Sequence, residues 1–235
     1  MRSIRRAAQR GQTQTDTSES FHSFSFADFY DPNGMGVRSL RVANEHRVAS
    51  NGALKEQKPS HMELFLIVVN GELSLKSSYQ KDFPTLQSGE VLWLSTGAET
   101  TIQFSNASEV ESLHFFEFWV FSDRQDYRPS SLNTKLSSNP SSLFNTIARG
   151  RGERDSEFPI RQDVRIDLAQ LSPAQESTWA TSPSRSSFVH VLSGEVVLDG
   201  DILNAGDAFT SIGGKGEPLK IVSLANSQVI AFDLA

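Results

Sequence analysis

The sequence predicts an all-β protein made of two copies of one β module, and three observations predict it. The apolar runs are short and rich in Val, Ile, Leu and Phe, with Gly, Asn, Asp and Ser separating them at strand-and-turn spacing. Helical periodicity is almost absent. One stretch also recurs: Ile67-Val68-Val69-Asn70-Gly71-Glu72-Leu73-Ser74-Leu75 resembles His190-Val191-Leu192-Ser193-Gly194-Glu195-Val196-Val197-Leu198.

In chain order, the alternating or continuous apolar runs place strands at Ser39–Ala43, Leu64–Val69, Leu73–Ser77, Glu90–Leu94, Thr101–Phe104 and Leu113–Phe121. A second set follows at Val164–Leu171, Phe188–Leu192, Glu195–Leu198, Ala208–Ile212, Leu219–Leu224 and Gln228–Asp233. Each copy of the repeat reads as a β-hairpin, turning at Asn70-Gly71 or Ser193-Gly194. A Gly plus an acidic residue then opens a further apolar strand, at Gly89-Glu90-Val91-Leu92 and at Gly206-Asp207-Ala208-Phe209. One short helix is expected at Pro140–Ala148, with Ser141-Ser142 capping a face of Leu143, Phe144 and Ile147.

Between the two sets, residues 122–156 are rich in Ser, Arg, Asn, Pro and Asp, a composition that buries little apolar surface and marks a partly mobile connection. The expected organisation is an N-terminal module over 1–121, a linker over 122–156 and a C-terminal module over 157–235, with room for strands lent by the chain termini.

A length of 235 residues suits one large β domain or two modules of about 110 residues. A hydrophobic content of 37% with 16 Phe indicates a folded chain. The net charge of -6 argues against a nucleic-acid partner, because that affinity rests on clustered Lys and Arg. Zero cysteines exclude disulfides, thiolate metal sites and cysteine nucleophiles. Arg2, Arg5, Arg6 and Arg10 are followed by no apolar leader run, and no window reaches the roughly 18 apolar residues of a membrane span. The expectation is a cytoplasmic protein with no membrane association. No Gly-x-Ser-x-Gly elbow, phosphate-cradling loop or His-Glu-x-x-His helix is present to support a hydrolase or nucleotide-binding reading.

Several stretches together resemble the pirin-like bicupin family. They are Ile4-Arg5-Arg6-Ala7-Ala8-Gln9-Arg10-Gly11, the block His22-Ser23-Phe24-Ser25-Phe26 with Tyr30-Asp31-Pro32 and Met35-Gly36, then Leu40-Arg41-Val42, Leu113-His114-Phe115-Phe116-Glu117-Phe118-Trp119 and the ending Phe232-Asp233-Leu234. The likeness covers nearly the whole chain and is most specific in the aromatic block. It implies two tandem cupin (double-stranded β-helix or jelly-roll) barrels with few short helices.

Metal-binding members of that family use a His-x-His pair and a later His-x-Glu pair, whose alternation turns both members of each pair into the barrel. Here Gly52 and Met62-Glu63 set the register of the first pair, which falls on Gln57 and Pro59. Ser95-Thr96-Gly97 and Leu113-His114 set the second, which falls on Ile102 and Phe104. None of the four is an imidazole or carboxylate. The resemblance, with these departures, implies no metal cofactor, no catalytic residue of the family type, and a pocket near Gln57, His61, Glu63, Ile102 and Phe104 that takes a small apolar ligand or is packed.

Of the histidines, His61 lies two residues from Glu63 and is the best substitute ligand, the alternative being a half-exposed His61 with Glu63 beside the site. His114 falls on the opposite strand face from Glu117. His22 is expected to hydrogen-bond within the aromatic block, while His46 and His190 show no partner in sequence. The functional expectation is a non-enzymatic binding or regulatory protein. The alternatives are a quercetin 2,3-dioxygenase-like enzyme with a rearranged metal site and a protein-binding cofactor whose partner the sequence does not mark.

Overall fold

A computed structural model of the chain describes residues 1–135, 143–150 and 156–235. It begins with β1 (Arg2–Arg5) and a single 3-10 turn (Ala7–Gln9). Ten strands follow: β2 (Gly11–Gln14), β3 (Ser18–His22), β4 (Leu40–Val48), β5 (Met62–Asn70), β6 (Glu72–Ser77), β7 (Leu86–Gln87), β8 (Glu90–Ser95), β9 (Ile102–Asn106), β10 (Leu113–Phe121) and β11 (Ser130–Lys135). The rest are β12 (Phe144–Arg149), β13 (Val164–Leu171), β14 (Glu176–Trp179), β15 (Ser186–Ser193), β16 (Glu195–Leu198), β17 (Asp201–Asn204), β18 (Ala208–Ser211), β19 (Leu219–Ser223) and β20 (Ser227–Leu234).

The chain divides into two compact units. One comprises Gly11–Gly36 and Leu40–Leu136; the other comprises Met1–Arg10, Val37–Ser39 and the described part of Ser137–Ala235. In the first, a seven-stranded sheet in the order β11-β8-β5-β10-β4-β3-β2 and a three-stranded sheet β7-β6-β9 share one core. In the second, a six-stranded sheet β1-β18-β15-β20-β13-β12 and a four-stranded sheet β14-β19-β16-β17 do the same.

The internal repeat is visible in the sheet orders, since β8-β5-β10-β4 and β18-β15-β20-β13 are equivalent runs of antiparallel neighbours. Its expected hairpin reading is corrected. β5 pairs with β8 and β10, whereas β6 pairs with β7 and β9, so the chain at Asn70-Gly71 passes from one sheet to the other. β15 and β16 separate in the same way at Gly194. Both glycines have positive φ, 84° and 80°, and a Cβ on Gly194 would stand 2.4 Å from Asn226 O. Local sequence cannot separate a hairpin from such a corner, because both need a glycine after an apolar strand.

The segment read as a connection carries two strands. β11 pairs with β8, Ser130 opposite Ser95, and β12 pairs with β13, Phe144 opposite Ala169. The helix expected over Pro140–Ala148 is therefore corrected for its described part: residues 144–148 are extended, and Ile147 is fully buried. The open edge of β13 supplies hydrogen-bond partners that outweigh a weak local helical preference. Residues 140–142 and the charged run 151–155 lie outside the described residues.

β1 completes the C-terminal unit, pairing Arg2 with Ser211 and Arg5 with Ala208. Asp207 anchors the turn after it, accepting from Ala7 N at 2.7 Å, Arg6 Nη1 at 2.9 Å and Asn204 N at 3.1 Å. Burial alone would raise its carboxyl, but these donors and the guanidinium charge outweigh that and hold it below its ordinary value. No helix among the described residues is long and apolar enough to cross a membrane.

Candidate functional site

Residues 53–57 run antiparallel beside β9, and Gln57 faces Ile102 in a pair that exchanges both backbone bonds, Gln57 N to Ile102 O at 2.8 Å and Ile102 N to Gln57 O at 2.9 Å. Leu54 N donates to Phe104 O at 2.9 Å. Three of the four positions implied as ligands, Gln57, Ile102 and Phe104, thus lie on two adjacent strands, with Pro59 buried just beyond.

Their side chains do not suit a metal. Ile102 and Phe104 are fully buried in the barrel core, and Phe104 meets Phe115 edge-on with ring centroids 5.5 Å apart. Phe115 in turn stacks on His46 at 4.8 Å. Gln57 offers an amide, Pro59 has no donor atom, and the space between the strands is taken by aromatic rings. Among the described residues no three His, Cys, Asp or Glu side chains gather to hold a metal ion. The donor set does not fit a divalent metal, so no metal-dependent step is derived from it.

Beside this packed column lies a cavity of about 360 Å³ in the N-terminal unit. Phe26, Leu54 and Trp119 form its apolar wall, Ser20, His22, His46 and Gln57 its polar part, and Lys55, Glu56 and Lys58 are exposed on its lining. Alternation builds the polar part. Val42 and Val48 of β4 point into the core, so Asn44 and His46 between them do too, as does Glu117 between Phe115 and Trp119 of β10.

His46 Nε2 lies 3.1 Å from Glu117 Oε2, and Trp119 Nε1 donates to Glu117 Oε1 at 2.8 Å. With Nε2 given to the carboxylate, His46 Nδ1 meets the Ser20 hydroxyl at 2.8 Å. His22 lies 2.9 Å from Asn44 Oδ1 and 3.0 Å from Thr13 Oγ1. The Ser20–His46–Glu117 order is that of an activated nucleophile. Yet Ser20 sits mid-strand with β2 on one side and β4 on the other, so its neighbouring backbone N–H groups belong to the ladder and form no oxyanion hole. The trio instead satisfies a buried carboxylate and fixes the polar wall.

Of the residues expected at the pocket, Gln57 alone lines this cavity. Ile102 and Phe104 are packed behind it. Glu63 is fully buried on the β5 face opposite Leu64 and Leu66, accepting from Trp93 Nε1 at 2.8 Å, Ser95 Oγ at 2.9 Å and Ser122 Oγ at 2.8 Å. His61 precedes β5 with φ 57° and is half-buried. The two are not brought together as a ligand pair, because Glu63 accepts from Trp93, Ser95 and Ser122 on the face away from the barrel interior. His114 bonds Glu45 at 3.0 Å on the face opposite Glu117, as its parity implies. The partnership that sequence reasoning missed is His46 with Glu117. Each sits in an apolar alternation, which is the signal that it points inward, but their meeting depends on the pairing of β4 with β10.

Among the described residues of the C-terminal unit, inward-facing charges form pairs. Arg165 Nε lies 2.7 Å from Asp167 Oδ2, which also accepts from Trp179 Nε1 at 2.6 Å, and Arg185 bridges Asp163 at 2.8 Å and Asp233 at 3.2 Å. No imidazole takes part.

Two units, each with a larger and a smaller antiparallel sheet around one core and related by an internal repeat, define a two-barrel cupin protein. The chain belongs to the pirin family: residues 3–120 match the profile described as Pirin, and residues 148–234 match the Quercetinase C-terminal cupin domain. Among curated relatives, quercetin 2,3-dioxygenase of Escherichia coli K12 is 23% identical over 98% of this chain and 97% of its own length. A pirin-like protein of Caulobacter vibrioides is 29% identical over 91% of each chain. Among solved structures, E. coli YhhW superposes with a TM-score of 0.91 at 23% identity, covering 100% of this chain and 98% of that one. YhhW in complex with nickel(II) superposes at 0.88 and 24% identity, covering 100% and 99%. At these identities the two structures establish the fold alone.

Proposed function

We propose that this pirin-family chain is a non-enzymatic binding or regulatory protein whose N-terminal barrel has given up metal chemistry and takes a small apolar ligand in the cavity beside Gln57. One observation carries this reading: Ile102 and Phe104, fully buried and packed, stand where the family pattern implies an imidazole and a carboxylate. A metal site needs several strong donors converging on one point, and apolar side chains also exclude the water that would complete the coordination. The cavity is the size of a small-molecule site, with an apolar wall and a few fixed polar groups. Elemental analysis of protein purified without a metal-binding tag, repeated after soaking in iron and zinc, tests it. No stoichiometric metal is expected; one metal per chain overturns the reading.

The relatives' names favour a second reading, a quercetin 2,3-dioxygenase with a rearranged site, because the E. coli protein bearing that name matches over almost the full length. It requires ligands other than those at Gln57, Pro59, Ile102 and Phe104. Flavonol turnover with added iron, copper, manganese or nickel would support it, and its absence with all four removes it.

A further inference from the structure

We infer that the cavity beside Gln57 is selective for a small aromatic carboxylic acid, the ring lying against Phe26, Leu54 and Trp119 and the carboxylate meeting Lys55 and Lys58. This rests on the reading of the N-terminal barrel as a binding module and refines its ligand from simply apolar to an apolar ring bearing one anionic group.

The aromatic part follows from the wall. Phe26 and Trp119 meet edge-on, 89° apart with centroids 5.6 Å apart, and His22 lies against Phe26 at 5.2 Å. The Phe26 and Trp119 rings with Leu54 present apolar surface, and the His22 ring backs Phe26, so a planar ligand covers this wall at low entropic cost. A volume of about 360 Å³ suits one or two fused rings.

The carboxylate follows from the distribution of charge. Lys55 and Lys58 both line the cavity, both are exposed, and neither has an ion-pair partner among the described residues. Glu56 is the one acid among the lining residues, so the lining carries two lysines against one glutamate. Behind the lining the Glu117 carboxylate is held by His46 and Trp119, and an anion set against those two residues would be repelled by it. The ligand is therefore oriented with its ring inward and its carboxylate at the lysines. Exposed charge contributes modestly to affinity, so the charged group sets selectivity while the rings supply most of the binding.

The test is calorimetric titration of the full chain with 2-naphthoate and with the neutral 2-naphthalenemethanol at low salt, on the wild type and on K55Q/K58Q. The expected result is that naphthoate binds roughly tenfold tighter than the alcohol, and that K55Q/K58Q, whose changes are exposed, melts normally and loses the difference. Equal binding of acid and alcohol overturns the inference and leaves the binding-module reading standing. A preference for the acid that survives in K55Q/K58Q overturns it too, by placing the carboxylate elsewhere. If neither compound binds the folded wild type, the inference falls, and the binding-module reading is decided by the metal analysis.

Discussion

His46 and Glu117 meet 3.1 Å apart inside the N-terminal barrel, 71 residues apart in sequence, on strands β4 and β10. Both are buried, and Glu117 is fully so. Removing one partner strands the other, so His46→Leu should destabilise the protein by about 3–5 kcal/mol. The double variant with Glu117→Leu should recover much of that loss, since it buries no unpaired charge. Urea unfolding of the four proteins in the cycle checks it, and simple additivity of the two single changes would show that the pair does not interact.

Phe104 fills the space between β9 and β10. Truncation to Ala removes a fully buried ring and its contact with Phe115, so Phe104→Ala should cost about 3–5 kcal/mol. A loss under about 1 kcal/mol in the same unfolding assay would mean the ring is not packed as described.

The two sheet corners impose different demands from an ordinary turn. Gly194 and Gly200 both have positive φ, 80° and 95°, but a Cβ on Gly194 meets Ser227 Oγ at 2.3 Å and Asn226 O at 2.4 Å, whereas one on Gly200 meets nothing within 4 Å. Gly200→Ala should therefore cost only the backbone term, about 1–2 kcal/mol, and Gly194→Ala clearly more. Equal melting temperatures for the two variants would contradict this.

Asp207 ties the start of the chain to the C-terminal unit. Its carboxyl is held below its ordinary value, so between the folded and unfolded values the unfolded chain binds more protons and stability rises with pH. The contribution is fully present above the unfolded value and is lost as pH falls through the folded one. Asp207→Asn should cost roughly 1–3 kcal/mol at neutral pH, and the gap to wild type should close as the solution is acidified. Thermal melts of both proteins from pH 7 to pH 3 measure it; a constant gap would remove the linkage.

Much of the fold was legible because strand propensity and alternation are local. Leu113–Phe121, Val164–Leu171 and Glu195–Leu198 form with the expected limits, and the repeat around Gly71 and Gly194 marks equivalent places in the two barrels. The weak strands were not legible. β2, β3 and β11 carry few apolar residues, β12 carries an apolar pattern that also fits a helix, and all four are paired along the edge of a neighbouring strand, which no local pattern records. The same limit hid the corner at Asn70-Gly71.

For the site, the sequence by itself determined the donor inventory: Gln57, Pro59, Ile102 and Phe104 bring no imidazole or carboxylate, and side-chain chemistry does not change on folding. Only the tertiary structure decided where the remaining polar groups go. It turned Glu63 out of the barrel interior toward Trp93 and joined His46 to Glu117. It also opened the cavity beside Gln57, while Ile102 and Phe104 closed into core. Alternation fixes only which two residues of one strand share a face, whereas a site is made by the pairing of strands distant in sequence, and that pairing is set by the packing of the whole barrel.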